Sequence, residues 1–393
     1  MTLFYFLIGI IFSLGLLENY FHQRNIKKIP IRVHVNGIRG KSSTVRLIAG
    51  GLRAAGYRVL AKTTGTAPRI ILENGEEREI HRRGRANIIE QKHFIKEAVK
   101  RKVDAIVLEC MAVHPELQWV TEQRMVHSTI GVITNIRQDH LDVYGSELSD
   151  VAHALKLTIP QNSHCITTEK RYFSILKNQA DRLNTTLITV NPEKLPKNII
   201  EKIPVFAFKD NVALALKTHQ LLGILKEKAL PGIIQAQPDP GALTVYSLKY
   251  KGHKIWLVNC FAANDRESLL IIWEKIRSIL PEKLQKLPKF GLVNHRDDRI
   301  NRTIQFDRMI SQKLTFNQII LIGPTRQLSQ KKLLQMGIPQ NKIKLLSQEK
   351  SIQDFIDKLF QLIQEDILLF GLGNTRGLGQ QIVQYFIEQG EKL

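Results

Sequence analysis

The sequence predicts an α/β chain: a parallel-sheet domain, then a smaller doubly wound domain, both behind an N-terminal apolar helix. Three observations predict it. After Pro30, short β-branched runs alternate with longer amphipathic segments, as βαβ units require. The alternation stops at QAQPDPGAL, residues 235–243, where Pro and Gly break any regular element, and then restarts. No charge precedes Glu18. A length of 393 residues also exceeds one ordinary core.

The opening MTLFYFLIGIIFSLGLLENYF is at the short end of the roughly 17 to 25 apolar residues that span a bilayer, with Tyr20 and Phe21 as interfacial anchors. No basic n-region precedes it and no small-residue cleavage site follows, which argues against a removed secretory signal. Arg24, Lys27 and Lys28 lie on its C-terminal side, so residues 1–24 read as an uncleaved anchor in the cytoplasmic (inner) membrane, with the body in the cytoplasm. A buried core helix is the alternative, because such a segment is also apolar on every face.

Expected strands of the first domain, residues 30–245, are 31–35, 57–63, 104–110, 128–136, 164–168 and 185–190. Each is apolar enough for burial on both faces of a parallel sheet. Helices are expected over 42–55, with Gly56 as its stop, over 86–102 and over 211–222. The polar stretch 72–85 reads as a hairpin or loop. The second domain, residues 250–393, repeats the pattern with strands at 253–260, 289–295, 318–324, 343–347 and 366–374, a Rossmann-like order of elements.

Composition narrows the class. The chain has 57 Lys and Arg against 36 Asp and Glu, a net +21 spread along its length. Such a surface attracts polyanions or is simply well solvated. Aromatic-basic clusters are lacking, which argues against a nucleic-acid partner. Cys110, Cys165 and Cys260 are far apart and odd in number, so neither a disulfide framework nor a zinc cluster is indicated.

Chemistry is concentrated in three places. In VHVNGIRGKSS, residues 33–43, a strand meets a Gly-x-x-Gly-Lys-Ser turn and then a helix. Backbone N–H groups and a helix N-terminus converge there on an anion. Lys41 would reach the β- and γ-phosphates of a nucleotide, and Ser42 would ligate Mg²⁺. The first glycine of the longer phosphate loop is replaced by Val35, so the cradle is short. Glu109 ends the second motif strand, where a carboxylate faces either a ligand crevice or solvent. In TNIRQDHLDVYG, Asn135, Asp139, His140 and Asp142 crowd one turn, either around a cation or as helix caps. The N-K-x-D base-recognition pattern of GTPases is absent.

These elements, in this order, resemble the ATP-dependent amide ligases of the Mur ligase and folylpolyglutamate synthase superfamily, and within it the ligase subunits of bacterial poly-γ-glutamate synthases. The likeness extends to AKTTGTAPR, LECMAVHPE, DNVALAL, QPDPGAL, FAANDRESLLIIW, NHRDDRINRTIQF and FGLGNTRG, and so spans residues 33–377. It implies a P-loop-type ATPase domain followed by a substrate domain. It also implies two magnesium ions, ATP, glutamate and poly-γ-glutamate as ligands, and other membrane subunits as partners. By this resemblance Asn36, Gly37, Ile38, Arg39, Gly40, Lys41, Ser42 and Ser43 hold the phosphates, with Asn211 near the nucleotide. Ser42, Glu109 and His140 hold the metal. Thr64, Gly65 and Thr66 form a loop near the transferred phosphate. Asn264 and Asp265 stand where Mur ligases have D-x-A-H-N-P, and Arg296, Arg299 and Arg302 form a row suited to carboxylates.

Two departures qualify the likeness. Many Mur ligases carry a carbamylated lysine downstream of the motif His; Lys156 stands one position late for it. The usual N-terminal domain for a nucleotide-linked sugar is replaced by the apolar segment, which argues against a UDP-sugar peptide as substrate. The implied reaction is amide bond formation through an acyl phosphate. A membrane-anchored P-loop ATPase that powers polymer export without forming the bond is the alternative.

Overall fold

The computed structural model describes the chain except Met1, Thr66, Ala67, Arg83, Arg85, His140, Val205, Pro240, Gly241, Ala262, Asn264, Asp265, residues 296–299 and Arg376. The side chains of Thr2, Leu141, Asp142 and residues 266–268, 278–279, 300–303 and 305 are likewise outside the description. The chain divides into two compact units, Met1–Gln237 and Pro238–Leu393.

Helix α1, Thr2–Lys27, opens the first unit. Its residues 3–21 are exposed, which overturns the buried-core alternative, whereas His22, Ile26 and then Ile29 are buried against the body. His22 Nε2 lies 2.9 Å from the Met125 carbonyl oxygen, and Ile26 and Ile29 join a core with Phe94, Ile95 and Val126.

The sheet of this unit contains β1 (Ile31–Asn36), β2 (Val59–Thr63), β3 (Arg69–Ile71), β4 (Glu77–Glu79), β5 (Ala105–Glu109), β6 (Ile130–Ile133), β7 (His164–Thr167) and β8 (Thr186–Thr189). Their spatial order is β4-β3-β2-β5-β1-β6-β7-β8. β1 is central and pairs in parallel with β5 on one side and β6 on the other, so the chain reverses its winding direction at β1. In such sheets the ends of the strands around that point form the ligand crevice. The polar stretch after β2 is a hairpin, β3 against β4. β8 departs from expectation: it lies at the sheet edge with its residues partly or fully exposed, because an edge strand has a neighbouring strand on one side only.

Helix α2, Lys41–Ala54, follows β1 and carries the buried stripe Val45, Leu47, Ile48 and Leu52. It ends where Gly56 adopts φ +92°, a left-handed conformation that glycine reaches without a Cβ clash. Gly50 on α2 meets Gly232 on the helix Lys226–Ile234 so closely that a Cβ on Gly50 would stand 2.4 Å from the Gly232 carbonyl oxygen. Helix α3, Glu90–Arg101, begins four residues later than expected.

The second unit has the sheet order β13-β12-β11-β14-β10-β9-β15. Its strands are β9 (Thr244–Tyr250), β10 (His253–Asn259), β11 (Lys289–Asn294), β12 (Gln318–Ile322), β13 (Ile343–Leu345), β14 (Ile367–Gly373) and β15 (Glu391–Lys392). The five strands β10 to β14 are parallel to their neighbours in this group. β9 and β15 were not expected and extend the sheet antiparallel. β9 spans the stretch between the two expected domains and belongs to the second sheet.

Candidate active site

The short glycine cradle follows directly from β1. Gly37 and Gly40 adopt φ +127° and +80°. Their missing side chains are required as well as their dihedrals: a Cβ on Gly37 would stand 2.1 Å from Thr134 Oγ1, and one on Gly40 2.6 Å from Asn211 Oδ1. Asn211 lies in the helix Lys209–Leu221, is 3% exposed, and so abuts the turn immediately before α2.

Side chains from the strand ends hold the cradle open. Asn36 Oδ1 accepts from the Gly37 N–H at 2.8 Å, and Asn36 Nδ2 donates to Gln118 Oε1 and Thr158 Oγ1 at 2.9 and 3.1 Å. Asn135 brackets Arg39 by accepting from its N–H and donating to its carbonyl, both at 3.0 Å, while Thr134 Oγ1 donates to the same carbonyl at 2.7 Å. Ile38 N–H donates to the Asn135 carbonyl. Arg39 also pairs with Asp139 at 3.3 Å. Of the metal-capable turn, Asn135 and Asp139 thus brace the loop through Arg39. His140 lies outside the described residues, as does the side chain of Asp142.

Gly40 gives α2 no side-chain cap, which leaves the N–H groups at its start directed toward the cradle. Lys41 Nζ folds back over the turn and donates to the Gly37 carbonyl at 2.8 Å. Ser42 Oγ donates to Glu109 Oε2 at 2.8 Å, and the Thr64 N–H donates to the same oxygen at 2.8 Å. Two separate elements, α2 and the loop after β2, therefore converge on one carboxylate oxygen at the end of β5. Glu109 is only 4% exposed, which removes the solvent-facing reading. Ser43 follows Ser42 in the first turn of α2, half-buried, and Gly65 is an exposed bend.

A buried network that sequence reasoning missed backs Glu109. Gln91 Nε2 donates to the Glu109 carbonyl at 3.2 Å, and Lys62 Nζ donates to Gln91 Oε1 at 3.0 Å and pairs with Glu90 at 3.2 Å. Lys62 is 1% exposed, and burial pushes its ammonium down to about 8 despite the attraction of Glu90. A lysine inside the apolar run VLAKT was the available signal.

The donor set fits a hard cation. Two oxygens, Ser42 Oγ and Glu109 Oε2, stand 2.8 Å apart, near the about 3.0 Å between adjacent ligands of an octahedral Mg²⁺ with bonds of about 2.1 Å. Among the described residues no three His, Cys, Asp or Glu converge. Lys156 opens the turn Lys156–Thr158, whose Thr158 supports Asn36. Thr66, Asn264, Asp265, Arg296 and Arg299, and the side chain of Arg302, lie outside the described residues.

A short glycine cradle on the central strand, a strand-end glutamate facing the serine, and a second parallel-sheet unit define the class of ATP-dependent ligases built on a Mur-type middle domain. Comparison agrees: residues 35–226 match the Mur ligase middle domain, and residues 245–389 match the poly-gamma-glutamate synthase CapB C-terminal domain. The chain belongs to the CapB family of poly-γ-glutamate synthases. It is 37% identical to PGA synthase CapB of Bacillus subtilis over 96% of this chain and 95% of that protein. It is 35% identical to the capsule biosynthesis protein CapB of Bacillus anthracis, over 98% of this chain and 83% of that one. Among solved structures the fold matches Escherichia coli FolC in complex with ADP, at TM-score 0.70 and 14% identity over 94% of this chain and 92% of that one. It also matches the Yersinia pestis bifunctional folylpolyglutamate synthase/dihydrofolate synthase complexed with AMPPNP and Mn ion, at TM-score 0.69 and 15% identity over 93% and 92%.

Proposed function

We propose that this chain is the ATP-dependent ligase that polymerises glutamate through γ-carboxylate linkages, for a poly-γ-glutamate capsule or released polymer. The observation that carries the reading is the convergence of Ser42, Glu109 and the Thr64 N–H at the mouth of the Gly37–Gly40 cradle. Membership of the CapB family supplies the substrate class.

An amide forms from a carboxylate only after activation. The glutamate γ-carboxylate oxygen attacks the γ-phosphorus of ATP, the bond to the β-phosphate oxygen breaks, and ADP leaves. The amine of a second glutamate then attacks the acyl carbon, the new C–N bond forms, and the C–O bond to phosphate breaks. The amine proton leaves with the departing phosphate or water. Two magnesium ions, when bound, would neutralise phosphate charge. The chain's own residues do the positioning. Backbone N–H groups of residues 40–43 cradle the phosphates, the N–H groups of residues 37–39 being spent on Asn36 and Asn135 to shape the loop. Lys41 leaves the Gly37 carbonyl for the β- and γ-oxygens, and Ser42, Glu109 and His140 would hold the metal. Asn211 borders the nucleotide, with Thr64, Gly65 and Thr66 at the transferred group. Asn264, Asp265, Arg296, Arg299 and Arg302 receive the acidic substrate, with guanidinium forks matched to carboxylates. Lys156 is assigned no ligand role.

Helix α1 is long and apolar enough to cross a membrane, and its apolar residues 3–17 are exposed. This supports a cytoplasmic-membrane location with the body in the cytoplasm, beside other membrane subunits of a synthase complex.

The test is trapping. With ATP, Mg²⁺ and glutamate, added hydroxylamine should yield γ-glutamyl hydroxamate, with ADP release dependent on glutamate. ADP release at the same rate without any acyl acceptor, and no hydroxamate, would instead establish the export ATPase.

A further inference from the structure

A second cavity of about 510 Å³ lies in the first unit, away from the glycine cradle. Arg46 and Arg53 of α2, Glu73 and Glu77 of the hairpin region, and Gln235 and Gln237 line it. The closely packed Gly50 and Gly232 also line it.

The lining carries two guanidinium groups, Arg46 and Arg53, and two carboxylates, Glu73 and Glu77, and arginines outside the lining compete for those carboxylates. Glu77 binds both terminal nitrogens of Arg46 and stands 3.5 Å from Arg69 Nε. Glu73 is shared by Arg101 at 3.2 Å and Arg58 at 3.8 Å. Each carboxylate therefore already faces two guanidinium groups before Arg53 is considered. Arg53 Nε and Nη2 are shielded from solvent, and among the described residues neither has a hydrogen-bond partner. Two donors of a cation withdrawn from water and left unsatisfied are costly, and a bound anion removes that cost. The volume is in the range of about 300 to 1,000 Å³ typical of sites for organic ligands and exceeds what one small anion fills. The glutamine carboxamides offer donors and acceptors of the kind that pair with peptide groups.

We propose that this cavity holds a γ-glutamyl segment of the product, with a carboxylate on Arg53 and amides on Gln235 and Gln237. It is a non-catalytic holding site for the polymer. The inference rests on the glutamate-polymerising function proposed above. A chain carrying one carboxylate per residue and an amide between each pair offers both partners that this lining calls for, a carboxylate for the guanidinium of Arg53 and amides for the carboxamides of Gln235 and Gln237. A held chain stays with the enzyme between additions.

The experiment uses the full-length protein in detergent micelles. Binding of γ-linked pentaglutamate is measured by calorimetry without ATP, for the wild type, Arg53→Gln and the apolar Arg53→Met. Both variants are expected to weaken binding by about tenfold or more, whereas Lys41→Ala binds like wild type. Both should also raise the thermal midpoint of the ligand-free protein, since two shielded donors without hydrogen-bond partners are gone; a merely structural arginine would lower it. Formation of the first γ-amide from free glutamate should be retained, with shorter products. Equal pentaglutamate binding by wild type and both variants would overturn the proposal. So would inorganic phosphate competing as well as the peptide, which would mark a small-anion site. If the wild type made no γ-linked product, the function proposed above would fall even with binding intact. Product formation with unaltered binding in the variants would remove only the holding site.

Discussion

Lys41 lies folded over its own loop, with Nζ on the Gly37 carbonyl, so the ammonium is already held within the cradle before any phosphate arrives. Lys41→Ala is expected to reduce glutamate-dependent ADP formation at least about 100-fold with the fold retained, measured by coupled assay and circular dichroism. Glu109→Gln tests a different property, because the amide still accepts from Ser42 but brings no charge to a cation. It should raise the Mg²⁺ concentration for half-maximal activity by about tenfold or more, and an unchanged Mg²⁺ dependence would remove Glu109 from the metal site. The sequence made Lys41, Ser42 and Glu109 legible because motif and strand end coincide. It left Asn135 open between a cation and a cap, since an amide that can bind a cation can equally bracket a backbone, and only the fold shows that Asn135 accepts from the Arg39 N–H and donates to the Arg39 carbonyl. Lys62 and Gln91 escaped notice because their importance lies in contacts between β2, α3 and β5 that no local pattern encodes.

At the scale of elements, α2 joins two demands: its first turn meets the ligand and its middle meets another helix at backbone distance. Gly50→Ala should cost about 1 to 3 kcal/mol of stability, read from a denaturant midpoint, because the methyl would collide with the Gly232 carbonyl. β1 makes a second prediction. His34, buried beside β5 and Glu122, would be pushed down by burial alone, but its contacts with Cys110 and the Glu122 carboxylate outweigh this and lift it to about 10. A folded value above the ordinary 6.5 stabilises fully below pH 6.5 and is lost as pH rises toward about 10. Unfolding midpoints should therefore fall across that window in the wild type, and His34→Gln should flatten this part of the profile. The strand pattern around β1, β5 and β6 was readable because buried parallel strands are continuous apolar runs. β9 was not, because it is an antiparallel strand just after a Pro- and Gly-rich break, where local signals favour a linker.

For the whole molecule, the decisive division is between an exposed apolar helix and a soluble-looking body. Removing residues 1–21 should move the protein from the membrane pellet to the supernatant in detergent-free fractionation, with its fold intact. The cut must precede His22, since His22 and Ile26 belong to the body's core. Full-length protein in the supernatant would count against membrane insertion. The exposed residues 3–21 extend about 28 Å at 1.5 Å per residue, near the about 30 Å of a bilayer's hydrocarbon layer. The same helix runs on to Lys27 with no flexible linker between. With α1 inserted, the first unit is mounted on a stiff axle instead of a tether. Its height above the lipid and its tilt are then fixed by helix geometry, and its search for neighbours in the membrane is confined to sliding and spinning in a plane.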